Sequence, residues 1–303
     1  MSFSLLENVL GDACYLNGER VPFASALGES LRGLQASPVF YESIRVDQGI
    51  MLFYEDHMLR LLSSIEKHNE IHGTIFPIPD VENLYATAMC LIEDDGDPIR
   101  EGNLRVVVTE ENRLIYRSDM KTPSSTNYRD GIAASTITWE RIQPQIKALR
   151  ADYKASIAEA LCRETPFGAP YEILLQNTHA QITEGSRSNV LILLNGCVYS
   201  PPDALILIGI TRKYVKKAVA DAGFRFAERM FTLEELLLLK KDGQNPIVFL
   251  TSSPFDILPV RTIDDSAFWE TEAGDLSELY KIREAYFKIR EAYIHFHDVR
   301  LPD

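Results

Sequence analysis

The stretch Gln181–Val190, QITEGSRSNV, decides the interpretation of this chain, because it sets one acidic residue, Glu184, between apolar residues and a turn of small residues. Upstream, Lys147 lies in the segment QIKAL, and downstream the segment Gly209–Arg212, GITR, opens an amphipathic helix. Together they offer an amine, a carboxylate and the unpaired N–H groups of a helix N-terminus. A cofactor with an aldehyde, a ring nitrogen and a phosphate requires those three groups, and pyridoxal phosphate is such a cofactor.

Lys147 is the candidate for binding the aldehyde. Lysine reacts with aldehydes only as the free amine, so its pKa must fall, and burial among apolar groups lowers it. Lys147 is flanked by Ile146 and Ala148, where a strand-like run meets a helix. Taken alone, such a residue is more often a surface lysine at a helix start. Lys154 remains a second candidate, although it lies one residue off the apolar stripe of its helix.

Further features could hold the rest of the cofactor. Glu184 could keep the pyridine nitrogen protonated, which makes the ring a better electron sink. The helix start at Ile210 and Thr211 offers N–H groups and a partial positive charge to a phosphate. Hydroxyl groups follow a buried strand in the run Thr251–Ser253, and Arg60 could contact the phosphate through its guanidinium. Taken singly, each is more often an ordinary turn acid, helix start or solvated arginine.

The composition is that of an ordinary soluble globular protein, and it suits a metabolic enzyme as it suits most soluble proteins. The chain has 303 residues, 46% hydrophobic and 25% charged, so it can bury a large core and is long enough for two domains. Its net charge of −13 argues against binding nucleic acid. No apolar run approaches the roughly 18 residues of a membrane span, and neither a signal pattern nor metal-ligand spacing is visible. We therefore expect a cytoplasmic protein with no metal site and no membrane partner.

Strand and helix patterns mix in both halves of the chain. Apolar residues recur at helical spacing over 55–70 and predict an amphipathic helix there. The polar run Lys121–Asn127, KTPSSTN, is the best linker candidate. The sequence therefore predicts an α/β (α+β) protein of two domains, with a small N-terminal domain over 1–121, a linker at 122–130 and a C-terminal cofactor-binding domain with a helical tail over 131–303.

In order and spacing, these motifs resemble the class IV aminotransferases, the pyridoxal-phosphate enzymes of fold type IV. That family includes branched-chain aminotransferases, D-amino acid aminotransferases and aminodeoxychorismate lyases. The resemblance runs from about Tyr15 to Asp264 through YLNGERVPF, FYESIRVDQGIMLFYEDHMLRL, IKAL, YEILLQNTHAQITEGSRSNVLIL, IGITR and FLTSSPFDILPVRTID. It implies that Lys147 forms a Schiff base with the cofactor. The other cofactor-binding residues that it implies are Arg60, Glu184, Ile210, Thr211, Ser252 and Ser253.

The substrate side departs from each subfamily. Pro254 stands where branched-chain enzymes offer a backbone N–H to the substrate carboxylate, and proline has none. Asp152 replaces their tyrosine near the cofactor. Tyr41 matches an active-site tyrosine of D-amino acid enzymes, and Arg105 matches a basic position that contacts substrate acids in branched-chain enzymes and lyases. Together with Arg187, which is unusual in a turn of small residues, these two are the expected substrate-binding residues.

The resemblance implies a homodimeric aminotransferase that moves an amino group between an amino acid, or a related amine, and a keto acid through the Schiff base at Lys147. A β-elimination like that of aminodeoxychorismate lyase is the enzyme alternative, and it uses the same cofactor. A non-catalytic protein that binds or stores the cofactor is a third interpretation, suggested by Asp152, Arg187 and Pro254. Pyruvate release from aminodeoxychorismate without a keto acid would indicate the lyase.

Overall fold

The computed structural model describes residues 2–36, 38–94, 96–269 and 275–298, and it mixes helices and strands throughout. These residues form two compact units. The first is drawn from Met1–Lys121, Ile146–Ala151 and Glu291–Asp303, and the second from Thr122–Gln145 and Asp152–Arg290.

The N-terminal unit is built on a six-stranded sheet whose pairings are all antiparallel, in the order β3-β2-β8-β7-β5-β6. A short pair, β1 and β4, forms a second sheet. The elements of this unit are β1 Ser2–Ser4, β2 Ala13–Leu16, β3 Glu19–Pro22, α1 Ala26–Ser30, β4 Leu34–Ala36, β5 Phe40–Asp47, β6 Ile50–Met51, α2 Tyr54–His72, α3 Val81–Ile92, β7 Glu101–Val108 and β8 Arg113–Ser118.

Helix α2 covers the predicted helix at 55–70 and extends it at both ends. Met58, Leu61 and Ile65 are buried on one face and join the core that also contains residues of β5 and β7. The helix ends at Gly73, whose φ of 61° lies in the left-handed region that glycine adopts without strain. Arg60 therefore projects from a helix that is held firmly against the sheet.

The segment Ile146–Ala151 groups with the N-terminal unit, although the sequence placed it in the C-terminal domain. It runs beside the start of β5: the Leu149 N–H donates to the Val39 carbonyl at 2.9 Å, and Phe40 and Ala148 form an antiparallel bridge. These backbone bonds fix the segment to the sheet, which the linear sequence could not show. The division into 1–121, 122–130 and 131–303 otherwise stays a prediction.

The C-terminal unit contains the larger sheet and most of the remaining helices. Its first helix covers much of the segment 122–130 that the sequence predicted as a linker. The elements are α4 Ser125–Asp130, β9 Ile132–Thr138, α5 Ala151–Leu161, β10 Glu172–Gln176, β11 Ile182–Gly185, β12 Asn189–Leu194, β13 Cys197–Ser200, a 3₁₀ turn Asp203–Leu205, α6 Ile210–Asp221, β14 Arg225–Glu228, α7 Leu233–Lys241, β15 Ile247–Ser252, β16 Asp256–Ile263, β17 Ser266–Ala267 and α8 Ser277–His297. The last residues of α8, from Glu291, group with the N-terminal unit.

Six strands of this sheet close on themselves. The order β11-β10-β9-β16-β15-β12 returns to its start because β12 also pairs with β11. β12 is buried along its whole length, and after Asn189 its sequence, VLILL, is the continuous apolar run expected of a strand covered on both faces. The expected α/β fold of two domains is confirmed at this level. Among the described residues, we find no helix long and apolar enough to cross a bilayer.

Candidate active site

Lys147 is positioned by backbone hydrogen bonds to two elements of the N-terminal unit. Its N–H donates to the Ser64 hydroxyl of α2 at 3.1 Å, and its carbonyl accepts from the Tyr41 N–H of β5 at 3.4 Å. Lys147 itself is half-buried. The side chain therefore leaves a backbone that a strand and a helix hold from two sides.

The ring of Tyr41 has two cations beside it. The Lys147 Nζ lies 4.7 Å from the ring centroid, and the guanidinium carbon of Arg105 lies 4.1 Å from it. The strand register explains the second contact: Ser43 pairs with Arg105, and Tyr41 lies two residues before Ser43, so both side chains share one face of the sheet. Such cation–π contacts orient charged groups. The structure thus brings together two predicted substrate residues and the predicted cofactor lysine.

Glu42 points to the opposite face and binds the predicted phosphate arginine. Its carboxylate is fully buried and accepts from Arg60 Nε at 2.8 Å and Nη2 at 2.5 Å, while His57 Nδ1 lies 2.8 Å from Oε2. Burial alone would raise the pKa of Glu42, but Arg60 and then His57 hold it well below its usual range. For the His57 imidazole, burial instead lowers the pKa, and the Glu42 carboxylate opposes this by raising it. The sequence analysis missed both Glu42 and His57.

The pKa of the Lys147 amine lies below its usual value. Burial is the main cause; Tyr41 opposes it, Arg60 lowers the pKa further, Glu42 raises it and Arg105 lowers it. A lowered pKa gives a larger fraction of neutral, nucleophilic amine near neutral pH. A lysine that forms a Schiff base requires this condition, because only the neutral amine reacts with an aldehyde.

The rival Lys154 lies in α5 of the C-terminal unit. Burial lowers its pKa as well. The neighbouring Tyr153 donates its hydroxyl proton to the Ser186 carbonyl at 2.7 Å. Lys147 stands out from Lys154 by its setting, because Arg60, Arg105 and the Tyr41 ring all act on its amine.

In the C-terminal unit, Glu184 is nearly fully buried, at 3% exposure, in a row of polar side chains across three strands. The register pairs Glu184 with Asn189 and Asn189 with Thr251, and directly opposed residues point to the same face. The Arg141 guanidinium contacts both Glu184 oxygens, at 3.3 and 3.4 Å. Arg141 stands shortly before Lys147 in the run WERIQPQIK, and sequence reasoning passed over it.

The loop before α6 is bonded to the same row. The Leu207 N–H donates to Glu184 Oε2 at 3.3 Å, and the Leu207 carbonyl accepts from Asn189 Nδ2 at 2.8 Å. A Cβ added at Gly209 would lie 2.1 Å from Asn189 Oδ1, so only glycine allows this close approach. Glu184 and the helix start are thereby fixed relative to each other.

The helix start itself retains donors for an anion. Ile210 and Thr211 open α6, and its N-cap residue makes no side-chain capping bond. The Thr251 hydroxyl is buried and has no hydrogen-bond partner among the described residues. Ser252 and Ser253 follow it and are half-buried. A buried hydroxyl without a partner is unfavourable, and a ligand that binds it would relieve this.

Arg187 is engaged by its own unit. Its Nη2 donates to the Tyr171 carbonyl at 3.0 Å, and its Nε lies 3.6 Å from the fully buried carboxylate of Glu172. Ser186 and Ser188 also donate to Glu172. The Arg187 carbonyl accepts from the Ser252 hydroxyl at 2.8 Å. Arg187 thus neutralises a buried acid, a role that its sequence position did not reveal.

Each unit, taken by itself, holds groups whose chemistry suits a part of pyridoxal phosphate. Lys147 offers a desolvated amine, and the uncapped start of α6 and the orphaned Thr251 hydroxyl offer donors that suit a phosphate. Glu184 offers a buried carboxylate for the ring nitrogen. Arg60 already binds Glu42 through Nε and Nη2, so a phosphate there would share the guanidinium with that carboxylate.

Comparison with known proteins identifies a family whose cofactor is pyridoxal phosphate. The model of the family "Amino-transferase class IV" matches residues 39–263. The chain belongs to the class IV aminotransferases. It is 26% identical to the D-alanine aminotransferase of Bacillus licheniformis over 82% of this chain and 86% of that protein. It is 24% identical to a branched-chain-amino-acid aminotransferase of Pseudomonas aeruginosa, over 84% and 79% of the two chains.

Among solved structures, the PLP-bound form of a hypothetical aminotransferase from Mycobacterium tuberculosis shares the fold at a TM-score of 0.68. The match covers 92% of this chain and 100% of that chain at 19% identity. The expected family, fold type and transferase class are thereby confirmed. Pyridoxal phosphate is the cofactor of this family. The roles of individual residues stay predictions.

Proposed function

We propose that this class IV aminotransferase transfers an amino group between an amino acid or related amine and a keto acid, with Lys147 as its catalytic residue. One observation carries the assignment: the Lys147 amine is desolvated, has a lowered pKa and lies over the Tyr41 ring. When bound, pyridoxal phosphate supplies an aldehyde for the amino group and a ring that accepts the electron pair of the substrate α-carbon. The chain supplies proton transfer, charge placement and substrate binding.

Lys147 Nζ is the proposed general base and acid. In its neutral form it can take a proton from the substrate α-carbon, and as an ammonium it can return that proton to another carbon. The base works best when its pKa lies near the working pH, and burial moves Lys147 in that direction. Lys154 is the weaker candidate, because Arg60 and Arg105 lower the pKa of the Lys147 amine in addition to burial.

The remaining cofactor contacts follow from the donor sets. Glu184 would hold the proton on the pyridine nitrogen, and Arg141 and the Leu207 N–H keep its carboxylate in place. The N–H groups of Ile210 and Thr211 would bind the phosphate, with Arg60, Ser252 and Ser253 as further donors. The list of proposed cofactor-binding residues is Arg60, Lys147, Glu184, Ile210, Thr211, Ser252 and Ser253.

Tyr41 and Arg105 are the proposed contacts to the substrate carboxylate. They share the face of the sheet on which the Lys147 amine lies, which supports that role. Arg187 is the third proposed substrate residue, although in the structure it binds Glu172 and Tyr171. The relatives include both D-alanine and branched-chain enzymes, so both D- and L-amino acids belong in the donor panel.

We further propose that the protein works as a homodimer in the cytoplasm. The family resemblance supports the dimer. The four cysteines are widely spread in the sequence and show no disulfide framework, which supports a reducing compartment. The substrates would be a small amino donor and a keto acid. The mass of the particle in solution, measured by sedimentation or light scattering, tests the dimer directly.

A matched set of assays tests the reaction. The purified protein, with pyridoxal phosphate added, is given D- and L-amino acids with and without a keto acid acceptor, and both products are quantified. We expect amino transfer that depends on the acceptor. Pyruvate formed from aminodeoxychorismate without an acceptor would select the lyase, and cofactor binding without any response to a donor panel would select the non-catalytic alternative.

A further inference from the structure

The N-terminal segment before β2 is fixed against the sheet of its own unit. Leu5 and Leu6 are buried in the same core cluster as Tyr116 of β8. The Glu7 N–H donates to the Tyr116 hydroxyl at 3.0 Å, and that hydroxyl donates to the Leu5 carbonyl at 3.3 Å. The Asn8 carbonyl accepts from a backbone N–H just beyond β8. Glu7 therefore stands on an anchored backbone rather than on a loose end.

From this position Glu7 reaches the proposed substrate arginine. Its Oε2 lies 3.2 Å from Arg105 Nη2, and the two side chains are 25% and 17% exposed. Arg105 is not saturated by this bond, because its buried Nε has no hydrogen-bond partner among the described residues. At these exposures Arg105 can exchange Glu7 for another carboxylate, and partial burial makes the ion pair stronger than one on the open surface.

The pair touches the centre of the proposed site through Tyr41. The Arg105 guanidinium lies over the ring that also faces the Lys147 amine, so the charge of Arg105 acts where substrate would bind. Glu7 lies outside the part of the chain matched by the family model, residues 39–263. The acid that neutralises Arg105 is therefore supplied by a segment beyond the matched region.

We propose that Glu7 determines specificity by competing, as an internal carboxylate, with any acidic substrate group for Arg105. This inference rests on the proposed function, because it takes Arg105 as a substrate contact. A carboxylate arriving at Arg105 must displace Glu7 or share the guanidinium with it, and it also meets the negative charge of Glu7. An uncharged substrate end meets neither obstacle. The device lowers the affinity for dicarboxylates at this end of the site.

Binding of glutarate, a dicarboxylate that cannot be transaminated, tests the competition without requiring turnover. Isothermal titration is carried out on the protein loaded with pyridoxal phosphate, for wild type, Glu7→Gln, Glu7→Asp and Arg105→Gln. We expect Glu7→Gln to bind glutarate about tenfold more tightly than wild type, the effect of freeing one charged hydrogen-bond donor. The retracted carboxylate of Glu7→Asp should give an intermediate affinity.

Two controls separate competition from structural damage. Glu110→Gln removes one negative charge from an exposed position of the same unit and should leave the affinity for glutarate unchanged. In the Arg105→Gln background, Glu7→Gln should give no gain, because the contested group is gone. Equal or weaker binding by Glu7→Gln, or binding detectable in neither protein, would overturn the proposal.

The same titration distinguishes this inference from the proposed function. If Glu7→Gln gains affinity but no donor and acceptor pair turns over, the competition stands and the aminotransferase assignment fails. If transamination proceeds and the affinity for glutarate does not respond to Glu7, the assignment stands and the competition fails. In an active enzyme, Glu7→Gln should lower the KM for 2-oxoglutarate more than the KM for the uncharged 2-oxovalerate, with kcat little changed.

Discussion

The surroundings of Lys147 and of Glu184 handle charge in opposite ways. Around Lys147, the cationic side chains Arg60 and Arg105 come from separate segments and both lower the pKa of one amine. The fully buried carboxylate of Glu42 compensates Arg60, and Glu7 pairs with Arg105. Around Glu184, the acid lies in a row of strand residues and is bonded by one arginine and a backbone N–H. The first neighbourhood lowers an amine pKa through burial and charge. The second fixes an acid through sheet register.

The difference predicts how each neighbourhood fails. Removing a charge beside Lys147 should change the pKa of the Lys147 amine and the free energy of unfolding, because the remaining charges lose their compensation. Removing a group beside Glu184 should change cofactor binding more than stability, because strand register and backbone bonds remain.

Replacement of Lys147 should have the largest effect. Lys147→Arg removes the amine that is proposed to react with the aldehyde, so kcat/KM should fall by about 10⁴-fold or more. The matched control is Lys154→Arg, which should keep activity within a few-fold of wild type by the same reasoning. Steady-state kinetics with the best donor and acceptor measure both. Comparable losses in the two variants would contradict the assignment of the amine.

Replacement of Glu184 should have the second-largest effect on activity. Glu184→Gln keeps the shape of the side chain but cannot hold a proton on the ring nitrogen as a carboxylate does, so kcat should fall roughly a hundredfold. Glu172→Gln is the comparison, because Glu172 is also a buried acid of the same sheet but binds serines and Arg187. Glu172→Gln should lower the thermal midpoint and change kcat little. If Glu172→Gln instead lowers kcat and Glu184→Gln lowers mainly the thermal midpoint, Glu172 and not Glu184 would act on the ring nitrogen.

Replacement of Glu42 tests the compensation around Lys147. Glu42→Ala leaves Arg60 and His57 without their shared buried partner, and the free energy of unfolding should fall by about 3 kcal/mol. Urea denaturation at pH 7 measures this. Glu42→Gln keeps hydrogen-bond capacity, so its free energy of unfolding should fall less than that of Glu42→Ala. Stability equal to wild type in both variants would show that the buried carboxylate does not compensate the charge of Arg60.

Replacement of Thr251 probes the orphaned hydroxyl of the second neighbourhood. Thr251→Val keeps the shape and removes a buried group that has no partner among the described residues, so stability without cofactor should stay within about 0.5 kcal/mol. The affinity for pyridoxal phosphate, followed by absorbance on titration, should weaken by roughly tenfold if this hydroxyl binds the phosphate. An unchanged affinity would remove Thr251 from the phosphate site.

The smallest expected effect is a shift of a pH profile. Arg105 lowers the pKa of Lys147, so Arg105→Gln should raise that pKa towards its usual value. Because the reaction needs the neutral amine, the rise of kcat/KM with pH should move to higher pH, by less than about one unit. A shift to lower pH would show that Arg105 acts on Lys147 by another route.

The fold class and the residues of the main motifs could be predicted because they depend on local patterns. The spacing of Met58, Leu61 and Ile65 marked α2, and the apolar run of β12 followed the turn after Glu184. The grouping of Ile146–Ala151 with the N-terminal unit was not predictable, because it depends on hydrogen bonds to a strand about a hundred residues earlier.

The partners of the motif residues were hidden for the same reason. Glu42 adjoins Tyr41 in sequence but points to the other face of β5, and only the packing of α2 shows that it binds Arg60. Arg141 and Glu7 lie outside the strands and are ordinary charged residues in the sequence; only the folded chain places them beside Glu184 and Arg105. Alternation along β5 could have drawn attention to Glu42, because an acid at an inward position needs a partner.

Borohydride reduction followed by peptide mass mapping tests the central claim most directly. The protein is loaded with pyridoxal phosphate, its visible absorbance is recorded, and the reduced protein is digested and analysed by mass spectrometry. We predict a yellow protein that bleaches on reduction and carries the pyridoxyl mass on the peptide containing Lys147 and not on a peptide containing Lys154. A modification on Lys154, or a protein that stays colourless with added cofactor, would contradict the account.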